Sequence, residues 1–240
     1  TELSPQAGLD LRWGPTSDLT LAATANPDFG EVEADPSEVN LSAQETFLAE
    51  RRPFFLEGAD IFQLEMSEAP WMHGSELVFH SRRIGRGVQG SAPGSALWSD
   101  ADAVSRILGA AKLSGKVRNR WSLALLNATT GEERARYLGE DSARGRATVE
   151  PLTNFALARA VRLARDNDLA VGGVLTAVHR RLTSDFRQLP ASAVVGGVDG
   201  RLRFGGGAWD LTGALLGSRL AGDAGAIDAV RRNGVHRHQR

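Results

Sequence analysis

Cysteine is absent from the 240 residues, which excludes disulfide frameworks and thiolate metal sites. Lysine is almost absent too. Lys112 and Lys116 stand alone among 28 basic residues, and the arginine skew reads as GC-rich coding rather than as a binding device. No apolar run approaches the roughly 18 residues that a membrane-spanning helix requires. A formal charge of -1 gives no reason to expect nucleic acid or an anionic membrane surface as partner. A mean hydropathy of -0.23 with 42% hydrophobic residues fits a soluble fold and a β-barrel equally. The chain opens on Thr1 with no signal-peptide pattern behind it, so the expectation is a chain processed or cut from something longer.

What is present is alternation with period two, interrupted by turns. Leu9, Leu11 and Trp13 alternate with Asp10 and Arg12; after a Gly14-Pro15 break, Leu19 and Leu21 alternate with Thr20 and Ala22. A second pair runs from about 106 to 129 around Lys116-Val117-Arg118-Asn119, and a third from about 152 to 178 around Arg165-Asp166-Asn167-Asp168. In the third, Arg159 shares a face with Phe155, Leu157 and Val161, which reads as a bulge or a position near a water interface. A fourth pair covers about 191 to 218 around Gly205-Gly206-Gly207. Residues 130 to 150 and 180 to 190 read as long loops, and Leu77 to Arg86 as a strand ending in a basic cluster. Helical periodicity is best over Glu38 to Ala49, where Val39, Ala43 and Phe47 recur. Segments of about ten residues with one apolar face match transmembrane β-strands. A soluble antiparallel sandwich or lipocalin-like barrel shows the same period, so alternation alone leaves both open.

The segment Asn26 to Phe62, NPDFGEVEADPSEVNLSAQETFLAERRPFFLEGADIF, is too irregular for a strand pair and rich in both charge signs. Its pieces Asn26 to Gly30, Val32 to Pro36, Glu45 to Phe47 and Arg52 to Gly58, with Ser81 to Arg86 beyond, form a long motif string. Ile107 to Gly115, Trp121 to Ala128 and Val171 to Val178 add to it. This string resembles a bacterial family of unknown function whose members are predicted outer-membrane β-barrels, often preceded by a family-9 carbohydrate-binding module. The resemblance implies an all-β chain: a partial antiparallel transmembrane β-barrel over 1–240, with 26–62 as a plug-like inserted loop at the lumen or periplasmic mouth. The carbohydrate-binding module and some strands are expected to be missing. So is a terminal aromatic strand, since the chain ends on VHRHQR.

Within the insert, Glu31, Glu33, Asp35, Glu45 and Glu57 are candidates to pair with Arg51, Arg52, Arg82 and Arg83 where water is scarce, because the guanidinium fork holds carboxylates bidentately. Together with Asp28 these residues are the candidate ligand or lumen ion-pair set. The Phe54-Phe55 pair is expected to pack on the barrel wall.

Other motifs fare worse. Gly85-Arg86-Gly87-Val88-Gln89-Gly90 fits G-x-G-x-x-G, yet SAPGSALWSD follows where a phosphate-binding helix would have to begin. The acidic run Asp28, Glu31, Glu33, Asp35, Glu38 lacks EF-hand spacing. The five histidines are scattered, with no zinc-binding arrangement. Glu45, Glu50 and Glu57 could be proposed as hydrolase carboxylates, but no nucleophile with its base accompanies them. No catalytic residue, cofactor or metal is expected. The leading expectation is an outer-membrane barrel that binds or admits carbohydrate-derived ligands, with membrane lipid as partner. A soluble carbohydrate-binding β-domain and part of a carbohydrate-active hydrolase are the competing ones.

Overall fold

The computed structural model describes residues 7–27, 49–62, 64, 78–101, 104–118, 120–140 and 143–232. Among these described residues eleven strands appear in chain order: β1 (Leu9–Thr16), β2 (Leu19–Ala25), β3 (Ala96–Asp100), β4 (Ile107–Val117), β5 (Trp121–Thr130), β6 (Glu133–Gly139), β7 (Arg144–Glu150), β8 (Thr153–Ala164), β9 (Leu169–Arg180), β10 (Ser192–Phe204) and β11 (Trp209–Ala221). Among the described residues two α-helices accompany them, α1 (Pro53–Leu56) and α2 (Ala224–Arg232).

Eight strands form one antiparallel sheet in the order β1-β2-β4-β5-β8-β9-β10-β11, and β3-β6-β7 form a small second sheet. The large sheet is a meander in which every neighbour is the next strand along, apart from the excursions that hold β3 and the β6–β7 hairpin. All four alternating segments therefore fold as hairpins. Their turns gather at one end. The long connections, from β2 to β4, β5 to β8 and β9 to β10, gather at the other.

The two faces of the large sheet carry opposite chemistry, because period-two alternation sends neighbours to opposite sides. Cross-strand register puts Thr24, Ala110 and Ala128 in one row and Lys112, Leu126 and Leu157 in the next. This inner face is buried, and Phe55, Leu64, Ile84, Ile107, Leu126, Leu157 and Val174 form its apolar core. On the outer face, Trp13, Leu21, Leu113 and Leu125 fall in register, as do Phe204 and Trp209. These side chains point outward with nothing described above them: Leu215 is 75% exposed, Trp209 65% and Leu125 49%.

Several expectations need correction. The first hairpin does not turn at Gly14-Pro15: β1 continues to Thr16, with an irregularity between Trp13 and Thr16 and the turn at Ser17-Asp18. Pro15 is tolerated there because β1 ends the strand order and an edge strand can lack a donor. Arg159 causes no bulge, since β8 pairs continuously with β5 and β9. Its side chain is fully buried and pairs there with Asp199. Residues 130 to 150 are mostly the β6–β7 hairpin rather than a loop. The described part of 77–86 contains a short 3-10 turn at Ser81–Arg83 and no strand; its carbonyls serve a buried arginine instead of a ladder. α2 went unforeseen. The helix expected over 38–49 falls almost wholly outside the described residues.

Candidate functional site: the charged inner face

The insert returns onto the inner face through its RPFFLEG piece. Pro53 opens α1, a position where its missing N–H costs nothing. The helix spans four residues; the Glu57 amide satisfies the Pro53 carbonyl at 3.2 Å, and the carbonyls that follow need donors from elsewhere. Lys112, at the middle of β4 and 2% exposed, supplies them: Nζ donates to the Phe54 carbonyl at 2.5 Å and to the Glu57 carbonyl at 2.5 Å. The ammonium also lies 5.2 Å from the Phe54 ring centre, a favourable cation–π geometry. Gly58 follows with φ +65, and a Cβ there would stand 3.0 Å from Ser114 Oγ. Glycine is thus the residue that lets the chain leave α1 so close to β4. Arg12 of β1 pairs with Glu57.

A second node fixes the insert from its other side. Arg52, 5% exposed, donates through Nε and Nη2 to the two Glu50 carboxylate oxygens at 2.8 and 2.6 Å. Its Nη1 reaches the Ile84 carbonyl at 2.6 Å, and Nη2 also reaches the Ser81 carbonyl at 2.8 Å. Ser81 Oγ donates to Glu50 at 2.6 Å, as do the backbone amides of Arg51 and Arg52 at 3.0 and 2.9 Å. Burial by itself would raise the Glu50 pKa; the hydrogen bonds from Arg52 and Ser81 and the Arg52 charge outweigh it and hold it at about 2. The guanidinium carbon lies 4.3 Å from the Phe55 ring centre. The two motif pieces Arg52–Gly58 and Ser81–Arg86, far apart in sequence, meet in this cluster.

A third charged group belongs to the large sheet itself. Arg159 of β8 and Asp199 of β10 form a bidentate pair in which both side chains are 0% exposed, with Nη2 to Oδ2 at 2.7 Å. β9 runs between these strands. The pair passes over Gly172, where a Cβ would meet Arg159 Nη1 and Asp199 Oδ1 at 2.7 Å each. Arg159 Nε has no hydrogen-bond partner among the described residues.

Of the candidates, Asp28, Glu31, Glu33, Asp35 and Glu45 lie outside the described residues. Arg52 is the core of an ion-pair node with Glu50, an acid outside the candidate set. Glu57 is paired, with Arg12 of β1 instead of an arginine of the motif string. Arg51 is exposed beside the node, while Arg82 and Arg83 lie in the 3-10 turn whose carbonyls receive Arg52. Phe55 sits in the core cluster on the large sheet and Phe54 packs against it. Glu50, Lys112, Arg159 and Asp199 are the residues that sequence reasoning missed as partners. Each is a charge stranded in or beside an apolar stretch, and that is the signal that could have found them. Among the described residues no three His, Asp or Glu side chains gather as metal ligands.

The model of the family described as Domain of unknown function (DUF5916) matches residues 1–181, covering β1 through β9 and leaving β10, β11 and α2 beyond it. No curated protein and no solved structure matches the chain. The insert, the motif nodes and the Lys112 tether all fall within the matched part, and the chain belongs to the DUF5916 family.

Proposed function

We propose that the eight-stranded sheet is a wall segment of a Gram-negative outer-membrane β-barrel. Its charged face lines a lumen narrowed by the insert, and polar, carbohydrate-derived solutes bind or pass there. The observation that carries this reading is that the large sheet leaves an apolar face bare while its other face, beside its own apolar core, buries paired charges. Arg159, Asp199 and Lys112 are buried on one side, while leucines, valines and tryptophans lie bare on the other. A soluble antiparallel sheet packs its apolar face inward and wets the polar one; a membrane barrel does the reverse.

Further features agree. β4, β5 and β8 to β11 are 10 to 13 residues long, enough for a tilted crossing of about 9–11 residues. Trp13, Trp121 and the stacked Phe204–Trp209 pair sit toward the short-turn end of the outer face, where a membrane barrel carries an aromatic girdle. Toward the other end that face turns polar, with Asn127, Asn154 and His179. β1 and β11 each have one edge without a described strand. A bilayer does not tolerate open edges, so closure needs further strands. Short turns of such barrels face the periplasm, so the insert enters the lumen from the external side. The carbohydrate nature of the solute is what the family resemblance implies.

The decisive measurement is fractionation of the full-length protein. Expected are recovery in detergent-extracted outer membranes, a gel mobility that changes on boiling, and swelling of protein-bearing liposomes in oligosaccharide solutions. Recovery in the soluble periplasm would overturn the barrel. Heat-modifiable membrane protein without swelling would overturn the passage of sugars while leaving the barrel standing.

A further inference from the structure

The small sheet carries a feature that the barrel reading does not use. Register places Trp98 opposite Leu138 and Asp100 opposite Arg136. Across the next ladder Leu138 meets Arg144, Arg136 meets Arg146 and Arg134 meets Thr148. Trp98, Asp100 and four arginines therefore share one face. The opposite face packs inward, with Ala135 and Val149 fully buried, so the arginine face is the outward one.

Its charges do not balance. Arg136 is held by Asp100 at 2.8 Å and Arg134 by Glu132 at 2.6 Å. Arg144 and Arg146 form no ion pair with a described residue, and Arg146 lies directly opposite Arg136. Like charges facing each other across a ladder are destabilising. Arginine offers only donors, so whatever relieves this face has to bring acceptors, and anionic ones are favoured. The groove along it has a volume of about 740 Å³, lined by Trp98, Arg136, Leu138, Arg144 and Arg146 among others. It is open to solvent, as an extended chain requires. Trp98 is 56% exposed at its border, a flat apolar surface edged by donors. Arg144 and Arg146 are two residues apart on one strand, so their stems stand roughly 7 Å apart.

The geometry points to a binding site for an acidic saccharide: a pyranose ring stacks its C–H face on Trp98 while Arg144 and Arg146 hold carboxylates of adjacent sugar units in bidentate fashion. The site is built from the small sheet alone, so it stands or falls separately from the barrel.

The probe is trigalacturonate, titrated by calorimetry into the full chain in detergent micelles, with neutral trigalactose and a triglutamate peptide as comparators. Trigalacturonate is expected to bind more tightly than either comparator. Arg144→Gln/Arg146→Gln is expected to weaken it about tenfold or more, the loss of ~1.4 kcal/mol or above, and Trp98→Ala to weaken it further while quenching of tryptophan fluorescence by the sugar disappears. These positions are exposed, and an unchanged melting curve and boiling-dependent mobility identify variants that still fold. Lack of trigalacturonate binding, equal binding of trigalactose, equal or tighter binding of triglutamate, or full affinity in the folded double variant would each overturn the site.

Discussion

The two faces of the large sheet are made by the same strands and differ in almost everything else. The inner face buries full charges and satisfies them with partners from distant parts of the chain: Lys112 with carbonyls of α1, Arg159 with Asp199 across an intervening strand. The outer face leaves leucine, valine and tryptophan bare. Burial of a charge without a partner is expensive, so the inner side chains must be matched one to one. Outer apolar residues need only be apolar. The lesson is that the inner face specifies an arrangement, while the outer face specifies a solvent.

The most damaging way to break that contrast is to orphan one inner charge. Asp199→Ala leaves Arg159 unpaired at full burial and is expected to cost about 3–5 kcal/mol, read as a lower urea midpoint in detergent. Replacing the pair together, Arg159→Met with Asp199→Leu, should recover most of it, because neither charge is then stranded. If the single and double variants are equally unstable, the pair is not what holds β8 to β10.

Next in size is an outer substitution, Leu175→Arg, at a residue 51% exposed. Within a bilayer an arginine at mid-wall is expected to cost about 2–4 kcal/mol. On a water-facing surface the same change stays within roughly 0.5 kcal/mol. Folding titrations in lipid vesicles therefore sharpen the comparison directly, and a neutral result there contradicts the lipid-facing assignment.

The smallest effect concerns pH. Glu50 is held at about 2, below the ordinary carboxylate value of 4.5. A depressed folded-state pKa means its contribution is complete above about 4.5 and is lost as pH falls toward 2. Acidification should thus loosen the insert before the wall, seen as protease sensitivity around residues 50–60 between those values. Glu50→Gln should show that sensitivity already at neutral pH; an unchanged cleavage pattern in this variant would remove Glu50 from the anchor.

Much of this was legible in the sequence. Alternation located all four hairpins, since side-chain period survives whatever the solvent outside. It could not say which solvent, and it could not pair charges across strands. Arg159 and Asp199 belong to non-neighbouring strands, and their meeting depends on register plus the space above Gly172. Local spacing encodes neither. The motif string around Arg52 and Ser81 was visible as unusual, yet its purpose as an anchor emerges only when Glu50 joins it. The β6–β7 hairpin was missed because its outward face is nearly all arginine, so its alternation shows no apolar stripe of the usual kind.

The position of Lys112 also has a kinetic consequence. β2 and β4 are adjacent in the sheet but separated by residues 26–106, while most other ladders join strands a short turn apart. Closing a long loop adds about 0.6 kcal/mol for each doubling of its length, and non-local pairings form late. α1 can be caught by Lys112 and by Arg12, on β4 and β1 respectively, only once those strands have come together through β2. Engagement of this stretch by both residues at once therefore reports that the longest gap in the meander has already closed.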